Sequence, residues 1–295
     1  MALRTEISER QRRFGVELRR LREAAGFALK DAGALIDMGA PQLSHIEASR
    51  TGLDPARLTS LLTHYGCTDE TYMAELHELG ASDGKGWWTT FKGQITPRAL
   101  DLAETEARAA ALDNYETFYI PGYLQLPAYT EAMFEDAYQE RSQATEAAVQ
   151  FRAERQRILT DECQRQFRFV IHEAALLMHF PGKAVMRAQL KHLLAASELP
   201  NVTIQVLPFT VPKKPPRANS FLVCAPGSAA LSTVILDGPT HAEYLVDQPS
   251  IASYRDRFEQ LSEIALPAIT GDRSMQDDSR DSWGLIQHLL YLLQD

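Results

Sequence analysis

Apolar residues recur at helical spacing through the first eighty residues of the chain. Phe14, Leu18 and Leu21 stand at positions i, i+4 and i+7 ahead of Gly26, so residues 10–25 are predicted to form an amphipathic helix that ends before this glycine. Similar short patterns predict four more helices, at residues 30–36, 40–49, 54–65 and 69–79. Several short helices with apolar faces predict an all-α domain over residues 1–80.

The third of these helices, within "DMGAPQLSHIEASRTG" (37–52), has an unusually narrow apolar stripe. Only Leu43 and Ile46 are apolar at core spacing, and Pro41 lies in the first turn, where its missing N–H costs nothing. The opposite side is small and polar. This pattern is typical of a surface helix whose outer face contacts another molecule.

Beyond the small-residue stretch 81–86 the pattern alternates between helix and strand periods. Helices are predicted at 101–115, 127–138, 145–160, 184–197, 250–265 and 282–293. Strands are predicted at 167–171, 202–209, 221–225 and 232–236, with a short extended piece at 116–120. The predicted fold class is mainly α with a smaller sheet: the all-α domain followed by an α+β domain over residues 86–295.

Charge is divided unevenly along the chain, whose net charge is −9. The first 66 residues hold ten Lys and Arg against eight Asp and Glu, for a charge of +2, and the remainder carries −11. Six arginines crowd the first helix: Arg10, Arg12, Arg13, Arg19, Arg20 and Arg22. A basic end on an acidic body is compatible with DNA binding, and a solvated arginine face is the alternative.

Several classes of function are disfavoured by the sequence. No run of 18 apolar residues predicts a membrane span, and the first residues lack the apolar core of a signal peptide, so we expect a cytoplasmic protein. Cys67, Cys163 and Cys224 are far apart and are interpreted as buried reduced thiols. His172-Glu173 begins like a zinc-protease motif, but position 176 is Leu176. We expect no cofactor, no metal and no enzymatic activity.

Two short helices joined by a three-residue turn have the layout of a helix-turn-helix domain. Gly33 stands where close crossing of the two helices requires a small side chain, and the small outer face of the next helix suits the DNA major groove. The predicted partner is therefore double-stranded DNA. The candidate DNA-binding residues are Lys30, Ala40, Pro41, Gln42, Ser44, His45, Arg50 and Thr51.

These candidates have different expected roles. Gln42 is the best base reader because its amide can pair with adenine, although it can also act only as a helix cap. Lys30 and Arg50 are expected at phosphates, and His45 at a phosphate, at a base edge or merely exposed. Glu47 would repel phosphate, so we expect it to pair with an arginine of the first helix.

The stretch "LRRLREAAGFALKDAGALIDMGAPQLSHIEASRTG" resembles the XRE, or lambda-repressor-like, family. The recognition helix of that family typically ends Ser-Arg-Ile-Glu-x-Gly-Arg, and this chain has Ser-His-Ile-Glu-Ala-Ser-Arg at 44–50. His45 replaces the usual arginine, which puts its DNA contact in question. Ser49 replaces the usual glycine, which predicts mild strain at the end of the helix.

The second half carries a separate resemblance. "KGWW", "YETFYIPGYLQLPAYTEAMF", "HEAALL", "MRAQLKHLLAASELPNVTIQVLPF" and "YLVDQPSIASYRDRFEQL" are similar to the domain that follows the helix-turn-helix in actinobacterial, antitoxin-like regulators of the WhiJ-like class. That resemblance implies a transcription regulator with a small protein partner. It covers about residues 86–266.

Candidate residues for a partner or ligand follow from exposed aromatic and basic positions. Tyr119 and Tyr123 flank the Pro121-Gly122 turn, and Lys213 and Lys214 lie in a Pro-rich loop. Tyrosines that cover a domain seam are the alternative. The adjacent pair Trp87-Trp88 is expected in a core or an interface.

The function predicted is a sequence-specific DNA-binding regulator controlled through its C-terminal domain by a small protein or ligand. A homodimer is expected, since one helix reads only a half-site. The alternative is an antitoxin-like interaction protein whose DNA binding is only autoregulatory.

Overall fold

The structure is a computed structural model that describes residue 4 and residues 6–135, 143–162, 165–238, 240–269 and 280–294. The first part of the chain forms the helices α1 (Glu9–Ala24), α2 (Leu29–Ala34), α3 (Ala40–Glu47), α4 (Pro55–His64) and α5 (Glu70–Ala81). All five were predicted within a few residues of these bounds. Polar side chains set their starts: Ser8 caps α1 in a reciprocal capping box with Gln11, and Asp54 and Asp69 cap α4 and α5.

The core of this helical domain forms between α1 and the helices around it. Phe14 and Leu18 of α1 pack with Leu62 and Leu76 from α4 and α5. A second cluster holds α2 against α3 and α4 through Ala32, Ile36, Leu43 and Leu61. The apolar stripe read from the sequence is thus the buried side of each helix.

The remaining described residues form one six-stranded mixed sheet with helices on both of its faces. The strands are β1 (Ala111–Glu116), β2 (Gln166–His172), β3 (Val202–Leu207), β4 (Phe221–Ala225), β5 (Thr233–Asp237) and β6 (Ala242–Leu245). Their order is β3-β2-β1-β4-β5-β6, with β1 to β3 parallel and β4 to β6 antiparallel. The boundary between the two arrangements lies between β1 and β4.

The helices of this part of the chain are α6 (Pro97–Ala107), α7 (Pro127–Glu135), α8 (Gln143–Gln156), α9 (Glu173–Leu177), α10 (Lys183–Ala196), α11 (Gln248–Ile264) and α12 (Ser282–Leu292). Alternate strand residues face opposite sides of the sheet: Phe169 and Ile171 belong to the core that contains α10 and α12, whereas Val170 packs with Phe258 of α11. The predicted class, mainly α with a smaller sheet, is confirmed.

The predicted helix 101–115 is wrong in its second half. Helix α6 ends at Ala107, and Ala111–Glu116 is a central strand of the sheet. Inside it Asn114 donates to the carbonyl of Phe221 on β4. The Ala-rich stretch before it favoured a continuous helix, and only pairing with two neighbouring strands overrides that local preference. The short edge strand β6 was not predicted.

Three smaller expectations have mixed outcomes. Cys224 is buried, Cys67 is half-buried and both are free thiols, while Cys163 lies outside the described residues. Trp87 is half-buried and packs against Phe151, with ring centroids 5.1 Å apart. Among the described residues, no helix is long and apolar enough to cross a membrane.

Candidate nucleic-acid interface

The turn between α2 and α3 depends on close backbone approach at Gly33. A Cβ atom on this residue would lie 2.6 Å from the carbonyl oxygen of Met38, so any larger residue would push the turn away. The N–H of Met38 donates to the carbonyl of Gly33, at 2.9 Å, and closes the turn. The small side chain is therefore needed beside the turn backbone rather than at the helix crossing that the sequence suggested.

Helix α3 has one buried side and one open side. Leu43 and Ile46 are 0% and 2% exposed and fill the two cores of the domain. Pro41, Gln42 and Ser44 are exposed, so the described residues of the C-terminal domain do not cover them. A short helix with small, uncovered side chains on its outer face has the shape that enters a major groove.

Most of the other predicted DNA-binding residues are also accessible. Lys30 and Arg50 are exposed, and neither makes an ion pair with a described residue. Ala40, His45 and Thr51 are half-buried. Two uncompensated cations near α3 are available to phosphates, whose contacts fix the register of a protein on DNA.

Gln42 combines a structural role with an available donor. Its Oε1 accepts the N–H of Gly39, at 3.0 Å, and so caps α3 as predicted. Its Nε2 donates to no described residue. The cap fixes the amide and leaves two hydrogens for the acceptors of a base edge, such as N7 of a purine.

The end of α3 carries the strain expected from Ser49. This residue has φ of +64°, and the N–H of Arg50 donates to the carbonyl of His45, at 2.8 Å, as in a Schellman motif whose left-handed residue is usually glycine. The Oγ of Ser49 donates to the carbonyl of Gln11, at 2.8 Å, which ties this end to α1.

Arg4 was missed by the sequence reasoning. Its Nη1 donates to the carbonyl of Ser49, and its N–H donates to the carbonyl of Arg50, both at 2.9 Å. It thereby adds a cation beside the end of α3. Only its basic character close to the N-terminus could have drawn attention to it.

The arginines of α1 do not form a DNA-facing patch, which corrects the interpretation of the basic first helix. All six contact acidic side chains: Arg10 pairs with Glu104, Arg12 with Glu9, Arg13 and Arg20 with Glu17, Arg19 with Glu23, and Arg22 with Glu47. Their charge is compensated within the protein. The positive charge available for DNA lies instead around α3.

The predicted pairing of Glu47 is confirmed. Arg22 of α1 donates from Nε and Nη2 to the two carboxylate oxygens of Glu47, at 2.6 and 2.9 Å. Both side chains are buried, with 9% and 6% of their surface exposed. A bidentate charged pair of this kind fixes both distance and orientation, so it holds α3 against α1.

Helix α1 also contacts the C-terminal domain. Arg10 donates to Glu104 of α6, at 2.6 Å, and Arg13 donates to the carbonyls of Val246 and Ala230, both at 2.9 Å. Leu231 from the loop before β5 packs into the core around Phe14. Helix α1 therefore contacts both α3 and the C-terminal domain.

A buried carboxyl group lies at the same seam. Asp101 of α6 accepts the N–H of Glu9, at 3.3 Å, and burial raises the pKa of Asp101 to about 6. Because that pKa is raised, the carboxyl favours the folded state most when it is protonated, and this contribution is lost as the pH rises through about 6.

Of the partner or ligand candidates of the C-terminal domain, Tyr119 and Tyr123 line one cavity, and Lys213 and Lys214 do not belong to its lining. Tyr119 is 51% exposed, whereas Tyr123, which was expected at an exposed surface, is 2% exposed and packs between Phe167 and Phe169. Its ring fills the core beside the sheet, so substituting it would disturb the fold. Lys213 and Lys214 are exposed on the loop between β3 and β4.

His172 and Glu173 have structural roles. Nδ1 of His172 accepts the N–H of Ala174, at 3.1 Å, and caps α9. The carboxylate of Glu173 accepts the N–H of Phe209, at 2.8 Å. The two residues that begin like a zinc-protease motif thus cap a helix and hold a loop.

Two family models match the chain. One, described as a helix-turn-helix domain, matches residues 13–76, and the other, described as a domain of unknown function (DUF5753), matches residues 99–272. No curated protein and no solved structure matches.

Fold, site and the first match together define a helix-turn-helix DNA-binding regulator. Because the second match covers more than half of the chain, the protein belongs to the DUF5753 family. The predicted helix-turn-helix resemblance is confirmed, and the finer relation to XRE and WhiJ-like regulators stays a prediction.

Proposed function

We propose that this protein is a sequence-specific transcription regulator that binds double-stranded DNA as a homodimer through α3, under the control of its C-terminal domain. One observation carries the proposal: the outer face of α3 stays exposed in the full chain, with Gln42 Nε2 available as a donor. Lys30 and Arg50 add unpaired charge for phosphates. One such helix reads a single half-site, so the α3 helix of the second subunit of a symmetric dimer would read the other half-site.

Control by the C-terminal domain acts through α1 in this proposal. The described residues of the domain leave the face of α3 open, so the proposed control does not depend on covering that face. It contacts α1 through Glu104 and the carbonyls of Val246 and Ala230, and α1 holds α3 through the Arg22–Glu47 pair. A shift of the domain on α1 would change the placement of the two recognition helices in a dimer.

A small protein partner is the effector that the resemblance implies, and exposed aromatic side chains support this part of the proposal. Phe118, Tyr119 and Phe180 are exposed, and the rings of Tyr119 and Phe180 meet at 6.0 Å. Neighbouring exposed aromatic residues are typical of interaction surfaces. We propose that the protein acts through binding, and not through catalysis.

The salt dependence of DNA binding tests which cations contact phosphate. We expect Arg50→Ala to weaken binding of the full-length protein to all DNA sequences alike and to lower the slope of log K against log salt by about 0.9, as for the loss of one phosphate contact. Lys30→Ala should behave in the same way. The measurement is fluorescence anisotropy with a labelled random-sequence duplex over a series of salt concentrations.

Arg19→Ala is the matched control, because Arg19 is also exposed but is paired with Glu23 on α1. Its slope should equal that of the wild type. An unchanged slope for both Arg50→Ala and Lys30→Ala would contradict the assignment of phosphate contacts to this face.

A further inference from the structure

A large cavity opens at the carboxyl end of β1, where this strand has a parallel neighbour on one side and an antiparallel neighbour on the other. Its volume is about 530 Å³. This size is in the range of sites for small molecules. The chain that joins β3 to β4 passes this same edge of the sheet, and Ser220 and Phe221 at its end line the cavity.

The walls of the cavity are largely apolar. Phe118, Tyr119, Ile120, Phe221 and Met133 contribute aromatic and aliphatic surface. The polar side chains of the lining come from β1 and α8, from the loops beside them and from the end of β5: Asn114, Glu116, Thr117, Gln125, Arg152, Arg155, Ser220 and Asp237. A mostly apolar cavity with a small number of placed polar groups is the usual composition of a small-molecule site.

Two arginines of α8 reach this cavity, and of these only Arg155 forms an ion pair with a described residue. Arg155 forms a bidentate pair with Glu106 of α6, at 2.5 and 2.6 Å. Arg152 donates to Oε1 of Gln125, at 2.8 Å, and makes no ion pair with a described residue. Burial lowers the pKa of Arg152 to about 10. Glu106 and Glu116 act against this lowering, but Glu106 is paired with Arg155 and burial raises the pKa of Glu116. A buried cation that its neighbours compensate only in part would stabilise an anion from outside the chain.

Arg152 is held in place by its surroundings. Gln125 is itself fixed, because its Nε2 donates to the carbonyl of Ile120, at 2.7 Å. Gly122 makes room for the guanidinium groups: a Cβ atom there would lie 2.9 Å from Nη1 of Arg152 and 3.2 Å from that of Arg155. The cationic group is thus positioned before any ligand arrives, which lowers the cost of binding.

Glu116 gives the cavity a second polar position. Its Oε1 accepts from Nδ2 of Asn114, at 3.3 Å, and burial raises the pKa of Glu116. A carboxyl group in this environment can exchange hydrogen bonds with a polar substituent on a ligand. The cavity therefore offers a cation, a hydrogen-bonding group and apolar walls.

We propose that this cavity binds a small organic anion, whose carboxylate or phosphate pairs with Arg152 and whose apolar body lies against Phe118 and Tyr119. The regulatory consequence rests on the function proposed above. Helix α6 connects the two sites: Leu102 lines the cavity and Glu106 pairs with Arg155, while Asp101 and Glu104 of the same helix contact α1. Occupation of the cavity shifts α6, and through it the docking of the helical domain.

Titration calorimetry of the full-length protein tests the binding site without DNA. The probes are benzoate and phenyl phosphate, which share a ring and differ in the anion, and benzamide, which is the uncharged isostere of benzoate. We expect saturable binding of at least one anion and at least about tenfold weaker binding of benzamide, since loss of the charged pair with Arg152 removes a charge-assisted hydrogen bond. The stronger of the two anions identifies the head group as carboxylate or phosphate.

Variants of α8 assign the anion to its arginine. Arg152→Gln should weaken anion binding by about tenfold or more, and Arg152→Lys, which keeps the charge, should lose less. Arg157→Gln is the matched control, because Arg157 is exposed, pairs with Glu154 and lies outside this cavity. It should bind as the wild type does. Thermal unfolding without probe shows whether each variant is folded.

Several results would overturn the proposal. They are no saturable binding of either anion up to about 10 mM, equal binding of benzamide and benzoate, or wild-type affinity in Arg152→Gln. If Arg152→Gln does not fold, the comparison of benzoate with benzamide on the wild type decides. Unchanged DNA affinity at saturating anion would overturn the transmission through α6, and a protein that binds the anion but no DNA would contradict the proposed function alone.

Discussion

Replacing Glu47 by alanine is expected to lower the free energy of unfolding of the helical domain by about 3–5 kcal/mol, because it leaves the buried guanidinium of Arg22 without its counter-ion. The two side chains are only 9% and 6% exposed and share two hydrogen bonds. Removing one partner of such a pair costs far more than the net contribution of the pair itself. Urea unfolding followed by circular dichroism measures this loss.

Helix α1 provides a matched control for this substitution. The Arg19–Glu23 pair has a similar distance, 2.8 Å, but its side chains are 65% and 52% exposed. Glu23→Ala should leave the free energy of unfolding almost unchanged, because Glu23 is exposed and its second contact, with Arg22, is long, at 3.4 Å. Equal losses in the two variants would mean that the Arg22–Glu47 pair does not hold α3 against α1.

Glu104→Ala is expected to produce the second large effect, at the contact between the two domains. Glu104 of α6 accepts from Arg10, at 2.6 Å, and both side chains are buried. Without the carboxylate, Arg10 keeps, among the described residues, the carbonyl of Leu79 as its acceptor, at 2.9 Å. We expect a loss of about 3–5 kcal/mol in the free energy that joins the domains.

We expect the wild type to unfold in one transition and Glu104→Ala to unfold in two, one for each domain. Proteolysis in the stretch 81–86 should also be faster in the variant. Glu78→Ala is the control, because the contact of Glu78 with Arg108 is long, at 3.9 Å, and Glu78 is 76% exposed. That variant should unfold as the wild type does. If Glu104→Ala unfolds in a single transition, as the wild type does, the domains are joined chiefly by apolar contacts such as that of Leu231.

Patterns of local origin were sufficient to predict much of this fold. The helices around α3 follow from apolar spacing and from capping residues, and β2, β3, β4 and β5 follow from dense runs of β-branched and aromatic residues. Strand β1 has no such run. Its place depends on Asn114 bonding to β4 and on Arg168 of β2, which pairs with Asp113 at 2.6 Å. Contacts of that kind join distant parts of the chain and leave no local pattern.

The same distinction applies to the candidate site. The open face of α3 could be predicted from its narrow apolar stripe, and the pairing of Glu47 from the repulsion between carboxylate and phosphate. The partners of the other buried α1 arginines could not be predicted, because those of Arg10 and Arg13 lie 94 and 233 residues away. Net charge in a segment does not reveal which charges are already compensated.

Selection of DNA from a random pool by the wild type and by Gln42→Ala, side by side, tests most directly whether α3 reads DNA sequence. The wild type should enrich an inverted repeat whose half-sites lie about one helical turn apart, or a multiple of it, as for a symmetric dimer. Gln42→Ala should lose preference at one symmetry-related base pair, worth about 1–3 kcal/mol, and keep the rest of the motif. Enrichment of the same motif by both proteins, or of none by the wild type, would contradict the account.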